Sequence, residues 1–230
     1  MFLAAIFCLL WSVSSAERHP NACCVDREFE CVMGEIGGSI VTEHGIPTQK
    51  LHKGFNILHY DYYVRKMAIL FHTRQDDGTM KVTHILYDFT KNKTYISGSG
   101  SCNVTAIPPG TTFREPCIPD DAKFLGSTYM GYGASHLPLY NWEIKKASHP
   151  NITKRMAVTQ GGCTPVLEAT YGYADHNGAK FDVVYVFNNY HPRIRRRDVF
   201  DIPHICNPGM QSDIPEQANR VVRTITNLFQ

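Results

Sequence analysis

Residues 55–102 read FNILHYDYYVRKMAILFHTRQDDGTMKVTHILYDFTKNKTYISGSGSC, and the rest of the chain is organised around them. Two short units inside this stretch resemble each other. Tyr60-Asp61-Tyr62 is followed by a turn and Lys66; Tyr87-Asp88-Phe89 is followed by a turn and Lys93. Each unit joins two alternating or aromatic runs through a polar bend, which is the pattern of a β-hairpin. Between the units, Asp76-Asp77-Gly78 supplies residues that tolerate positive φ. It predicts a tight turn between Ala68–Thr73 and Met80–Phe89. The stretch therefore folds as a four-strand meander, whose apolar face needs a second layer to cover it.

Outward from the meander, residues 1–16 stand apart from the fold. Phe2 to Val13 is apolar but too short to span a bilayer, and Ser14-Ser15-Ala16 offers the small residues of a signal-peptidase site. The reading is a signal peptide over 1–16 and an exported protein with no membrane span. Removing 16 of 230 residues leaves 214, a single β-rich domain over 17–230. The formal net charge of +2 gives no basis for nucleic-acid binding. The one basic run, Arg193 to Arg197 interrupted by Ile194, resembles a secretory-pathway protease site, but a solvated loop is the stronger reading.

Cys8 leaves with the signal peptide, so seven cysteines enter an oxidising compartment. The odd number implies one free thiol or a bond to another chain. Sequons at Asn92, Asn103 and Asn151 agree with the secretory route and predict solvent-facing glycans there.

Glu17 to Gly54 reads as loop, with one short strand over Glu35–Glu43. Asn103 to Asp121 is a long Pro-, Thr- and Gly-rich loop, and long loops in compact domains are functional or tied down. Cys117 offers the tie. Strands follow at Lys123–Tyr132, Leu139–Lys146, Lys154–Gln160, Thr164–Tyr173 and Lys180–Asn188, with Trp142 on a buried face and a hairpin turn at Asn177-Gly178. The helical signal is terminal. Asp213 and Glu216 form a capping box, and Ala218, Val221, Val222, Ile225, Leu228 and Phe229 share one face. About ten strands and one short C-terminal helix, without βαβ alternation, predict a mostly-β fold of stacked antiparallel sheets or a half-open barrel.

The sequence has no nucleophile elbow, no HExxH helix, no P-loop, no dinucleotide fingerprint and no zinc-type cysteine spacing. A Cys/His hydrolase would need the unpaired cysteine as its nucleophile, so the expectation is a non-enzyme without an organic cofactor. Asp76-Asp77 and Asp120-Asp121 could offer oxygens to calcium, though turn residues and solvated charge are the commoner reading. The strands are rich in aromatics, which either fill a core or line a ligand cavity.

The order of Cys24, the Tyr-Asp turn before Met67–Phe71, the Asp-Gly before Ile85-Leu86-Tyr87-Asp88-Phe89, Trp142, Gly162-Cys163-Thr164-Pro165-Val166 and Phe200-Asp201-Ile202-Pro203 resembles the ependymin-related proteins. The Cys23-Cys24 pair and the segments Phe113–Cys117 (FREPC) and Phe124–Tyr129 (FLGSTY) point to the invertebrate branch. The resemblance implies a secreted or lysosomal glycoprotein, usually a homodimer, with two stacked antiparallel sheets around a hydrophobic pocket. It further implies lipid or other apolar-ligand binding, calcium association and cell–matrix adhesion, with no catalytic set. It implies a disulfide from Cys24, or Cys23, to Cys163 and another from Cys102 to Cys206, leaving Cys31 and Cys117 as additions to the pattern. Two classes of function stay open: a binding module for an apolar ligand, and a structural or signalling glycoprotein of the extracellular space.

Overall fold

The computed structural model describes residues 20–43, 46–52, 54–75, 77–107, 111–146, 149–173 and 180–207. The signal peptide, the Asn177-Gly178 turn and the C-terminal helix expected from the sequence lie outside these residues.

Twelve strands follow in chain order. They are β1 (Glu28–Glu43), β2 (Ile46–His52), β3 (Gly54–Asp61), β4 (Lys66–Arg74), β5 (Met80–Asp88), β6 (Lys93–Gly98), β7 (Ser101–Ala106), β8 (Lys123–Met130), β9 (Leu137–Lys146), β10 (His149–Thr159), β11 (Pro165–Tyr173) and β12 (Lys180–His191). All belong to one antiparallel sheet in the order β7-β6-β5-β4-β3-β1-β12-β11-β10-β9-β8, with β2 paired to the far half of β1. The mostly-β, incompletely closed architecture is as expected. The two layers are two halves of one sheet, because hydrogen bonding continues from β3 through β1 into β12.

The meander forms as the repeat predicts. Asp61 and Asp88 are each buried, and each caps a turn with one carboxylate oxygen. Asp61 accepts from the backbone N–H groups of Tyr63 and Val64, and Asp88 from those of Thr90 and Lys91. Each turn ends on a left-handed residue, Arg65 (φ 54°) or Asn92 (φ 53°). The repeat is thus one turn built twice.

Two expected loops are partly strand. β1 runs through Glu28–Glu43, so the short strand expected over Glu35–Glu43 begins seven residues earlier, at Glu28. Within it, Gly37 answers a close approach: a Cβ would lie 2.2 Å from the Asp182 carbonyl oxygen of β12. β7 likewise takes Asn103 to Ala106 from the expected long loop by pairing with β6. Gly172 makes the sharpest demand of this kind. Its φ is +151°, and a Cβ would meet the Asn151 carbonyl oxygen at 2.0 Å. Gly172→Ala should cost about 2–3 kcal/mol through backbone strain, lowering the urea midpoint at unchanged slope. Gly161→Ala, with open space around its Cβ, should leave the midpoint unmoved.

Alternation separates the two faces of the sheet. The inner face carries the main core, including Met33, Leu58, Met67, Ile85, Trp142 and Tyr185. The outer face of the meander carries Ala68, Leu86 and Tyr95, covered by Ile194, Phe200 and Cys206 of the C-terminal segment.

Candidate functional site

The sheet curls enough to enclose a cavity. Tyr87 of β5 and Ile144 of β9 line the same pocket, although they stand seven strand-to-strand steps apart. In a flat sheet that is about 34 Å. The cavity holds about 170 Å³. An engineered cavity of about 150 Å³ suffices to bind benzene, so this one has room for a hydrocarbon group of similar volume. Its walls are mostly apolar on both halves, with Leu58 and Met67 on one side and Met156 and Phe187 on the other.

The Tyr-Asp repeat builds one rim of this pocket. Alternation sends each Asp to the outer face and its flanking aromatics inward, so Tyr60, Tyr87 and Phe89 line the cavity. The segment Thr111–Pro119 lies across the mouth. Phe113 wedges into the aromatic shelf, with ring centroids 4.8 Å from Tyr60 and 4.6 Å from Phe89. The Tyr60 hydroxyl donates to the Arg114 carbonyl, and Arg27 pairs with Glu115 at 2.5 Å. The Val25 N–H bonds the Pro116 carbonyl, and the Ile118 N–H bonds that of Cys23. The segment expected to be functional or tied is tied here, over the mouth.

Disulfides fix this arrangement, and they decide between the two partners left open for Cys163. Cys163 bonds Cys23, not Cys24, and Cys24 bonds Cys117. Neighbouring residues of an extended segment point to opposite sides. Cys23 packs against the core and meets Cys163 in the β10–β11 turn, while exposed Cys24 meets Cys117 in the segment over the mouth. Cys102 bonds Cys206, as the resemblance implied. Among the described residues, Cys31 is the free thiol, 2% exposed on the inner face. Burial pushes its pKa up to about 12, with the neighbouring Glu30 adding to the shift. It is inert as a nucleophile and out of reach of another chain.

The remaining sequence candidates fall outside the pocket. Asn92 and Asn151 are exposed, and Asn103 is half-buried on the edge strand β7. Asp77 accepts the Thr79 N–H at 2.9 Å and the Thr79 hydroxyl at 2.7 Å on one oxygen, so it closes its own turn. Asp76 lies outside the described residues. Among the described residues, the clustered metal-ligand types are Cys24, Glu115 and Cys117, two of which are joined in a disulfide.

The basic run is a loop whose arginines are exposed, as expected, but it is also anchored to the sheet. Ile194 is buried, and its N–H bonds Glu28 at 3.0 Å. Arg195 pairs with Glu30, and Arg197 bonds Asp61 at 3.1 Å and Glu28 at 2.8 Å. Lys66 donates to the Phe200 carbonyl. The segment is a strap over the outer face, and the same Asp61 that caps a turn anchors it. Periodicity gave no signal for this, because the strap is irregular and its partners are distant in sequence.

Two histidines lie near this strap. Burial lowers the pKa of His59, 3.7 Å from the Glu30 carboxylate, and that of His84, which bonds the Val199 backbone. For Glu30 and Asp88, burial opposes ionisation. Arg195 outweighs it at Glu30, as do Thr90, Lys66 and Lys91 at Asp88, so both pKa values fall. The unfolded chain then binds protons more readily at all four groups. The histidine contribution is complete above their ordinary value of 6.5 and is lost as pH falls through the lower folded values. The carboxylate contribution is present above the ordinary 4.5 and 3.8 and is lost below them. Melting temperature should be level above pH 7, begin to fall near pH 6.5 and fall further below pH 4.5. His59→Asn with His84→Gln should flatten the upper step alone; an unchanged slope between pH 5 and 6.5 would refute the assignment.

Comparison with known proteins bears on the family. The family profile described as Ependymin matches residues 77–206, more than half of the chain. A curated relative, "Ependymin-related protein 1" of Haliotis asinina, is 27% identical over 141 residues, covering 58% of this chain and 69% of its own. Among solved structures, a LolA superfamily protein from Nitrosomonas europaea aligns over 76% of this chain and 90% of its own, at 10% identity and a TM-score of 0.35. From the matched profile, which takes in the meander from Asp77, the segment over the pocket mouth and the strap to Cys206, the chain belongs to the ependymin family.

Proposed function

We propose that the protein is a secreted, glycosylated, non-enzymatic binding protein that holds an apolar ligand, a lipid acyl chain or a similar molecule, between the two halves of its sheet. The observation that carries this reading is the apolar cavity itself, rimmed by the aromatic shelf and roofed by a disulfide-tied segment. Ligand sites are mostly apolar clefts with few polar groups. Burying six methylenes of an acyl chain would contribute about 5 kcal/mol before the cost of association. Glycans at Asn92, Asn103 and Asn151 belong to the same reading. The test is titration of the secreted protein with a fluorescent fatty acid or phospholipid. Saturable binding near one per chain, displaced by unlabelled lipid, is expected. Non-saturable signal across several lipid classes would overturn the proposal.

A second reading, a glycoprotein that acts by surface contact, has its own support. Edge strand β8 and the turn after it expose Leu125, Tyr129, Met130 and Tyr132. An unpaired edge with exposed apolar side chains favours strand addition by another chain, including a second copy. Sedimentation should then show concentration-dependent self-association that Tyr129→Lys abolishes.

A further inference from the structure

One charged pair on the pocket wall has no use in a purely apolar binding site. Lys154 of β10 and Glu168 of β11 both line the cavity, with Nζ 3.2 Å from the carboxylate and the side chains only 15% and 8% exposed. Register places Met156 opposite Glu168 and Thr170 opposite Lys154, so the pair lies diagonally across the hairpin, on the face that carries Met156. The Thr170 hydroxyl donates to Glu168 at 3.3 Å, holding the carboxylate in place.

Such a pair is a poor source of stability, because desolvation offsets most of the attraction. In ligand sites, a few placed polar groups fix orientation and specificity. A ligand apolar along its whole length would cover both charges and remove their remaining water without returning a partner. A purely anionic head would bring like charge to Glu168, and a purely cationic head would do the same to Lys154. A head carrying both signs can answer both.

Resting on the apolar-ligand reading above, we propose that the occupant is a single-chain zwitterionic amphiphile. Its anionic group meets Lys154, its cationic group meets Glu168, and its chain runs along Met156 and Phe187. One chain is specified because a volume of about 170 Å³ leaves no room for a second.

The experiment compares a lysophosphatidylcholine, a fatty acid, an alkyltrimethylammonium ion and a fatty alcohol of matched chain length. Each is titrated below its micelle concentration into the wild-type protein. The zwitterion should bind at least about tenfold tighter than each of the others. In Lys154→Met/Glu168→Leu the affinities should converge. A fatty acid or alcohol that binds the wild type as tightly as the zwitterion overturns the head-group assignment and leaves the cavity reading standing. If none of the probes saturates, both fall. The wild-type ranking decides the matter even if the double variant does not fold.

Discussion

Cys102→Ala/Cys206→Ala is expected to melt roughly 10–20 °C below the wild type. The bond joins residues 104 apart in sequence. For a loop of that size, chain entropy gives about 4.7 kcal/mol, a large share of the roughly 5–15 kcal/mol by which domains are stable. In a domain of this size each kcal/mol moves the midpoint by about 2–4 °C. The structure also says where the loss begins. The strap closes on Ala68, Leu86 and Tyr95 through Ile194, Phe200 and Cys206. Apart from the disulfide it is held by this small apolar contact, by the hydrogen bonds of the Ile194 N–H to Glu28 and of Lys66 to the Phe200 carbonyl, and by arginines that are themselves mostly exposed. Exposed ion pairs contribute little. The strap should therefore exchange its amides first, and trypsin should cut at Arg193–Arg197 before it attacks the sheet. A melting temperature within about 3 °C of the wild type, with the strap still protected, would refute this account.

The same strap shows what the sequence could and could not reveal. The Tyr-Asp repeat announced two equivalent turns, because a short carboxylate that caps its own turn is a local interaction. It could not announce that the outward Asp61 also receives Arg197, 136 residues away. Trp142 was legible as a buried strand residue, and it is 1% exposed. β1 was legible over Glu35–Glu43 but not in its first half, residues 28–34. Gly37 sits where β12 approaches closely, and a glycine required by a neighbouring backbone looks the same in sequence as one required by a turn. The partner of Cys163 was decided by side-chain direction at Cys23 and Cys24, one residue apart, which spacing cannot resolve. The pocket was legible in kind, as an excess of strand aromatics, but not in place. Its rim joins β5 to β9, and only the curl of the whole sheet brings them together.

Glu168→Leu is expected to destabilise the protein by about 3 kcal/mol, while Lys154→Met/Glu168→Leu should lie within about 1.5 kcal/mol of the wild type. The single change takes the carboxylate away from an ammonium that stands 3.2 Å from it and is only 15% exposed. Removing one member of a buried pair costs about 3–5 kcal/mol. The lower figure applies because the cavity leaves the pair some water. The double change replaces both charges with apolar groups of similar length, in a wall that already contains Met156 and Phe187. Urea unfolding of wild type, Lys154→Met, Glu168→Leu and the double variant closes a mutant cycle, and the coupling between the two positions should be large. A neutral single variant would show that the pair is solvated and inconsequential. A double variant as unstable as Glu168→Leu would show that the pair itself holds the hairpin together. The expected pattern, costly to break and cheap to replace, would mean that stability alone does not account for the two charges in the wall, which is what the proposed zwitterionic ligand requires.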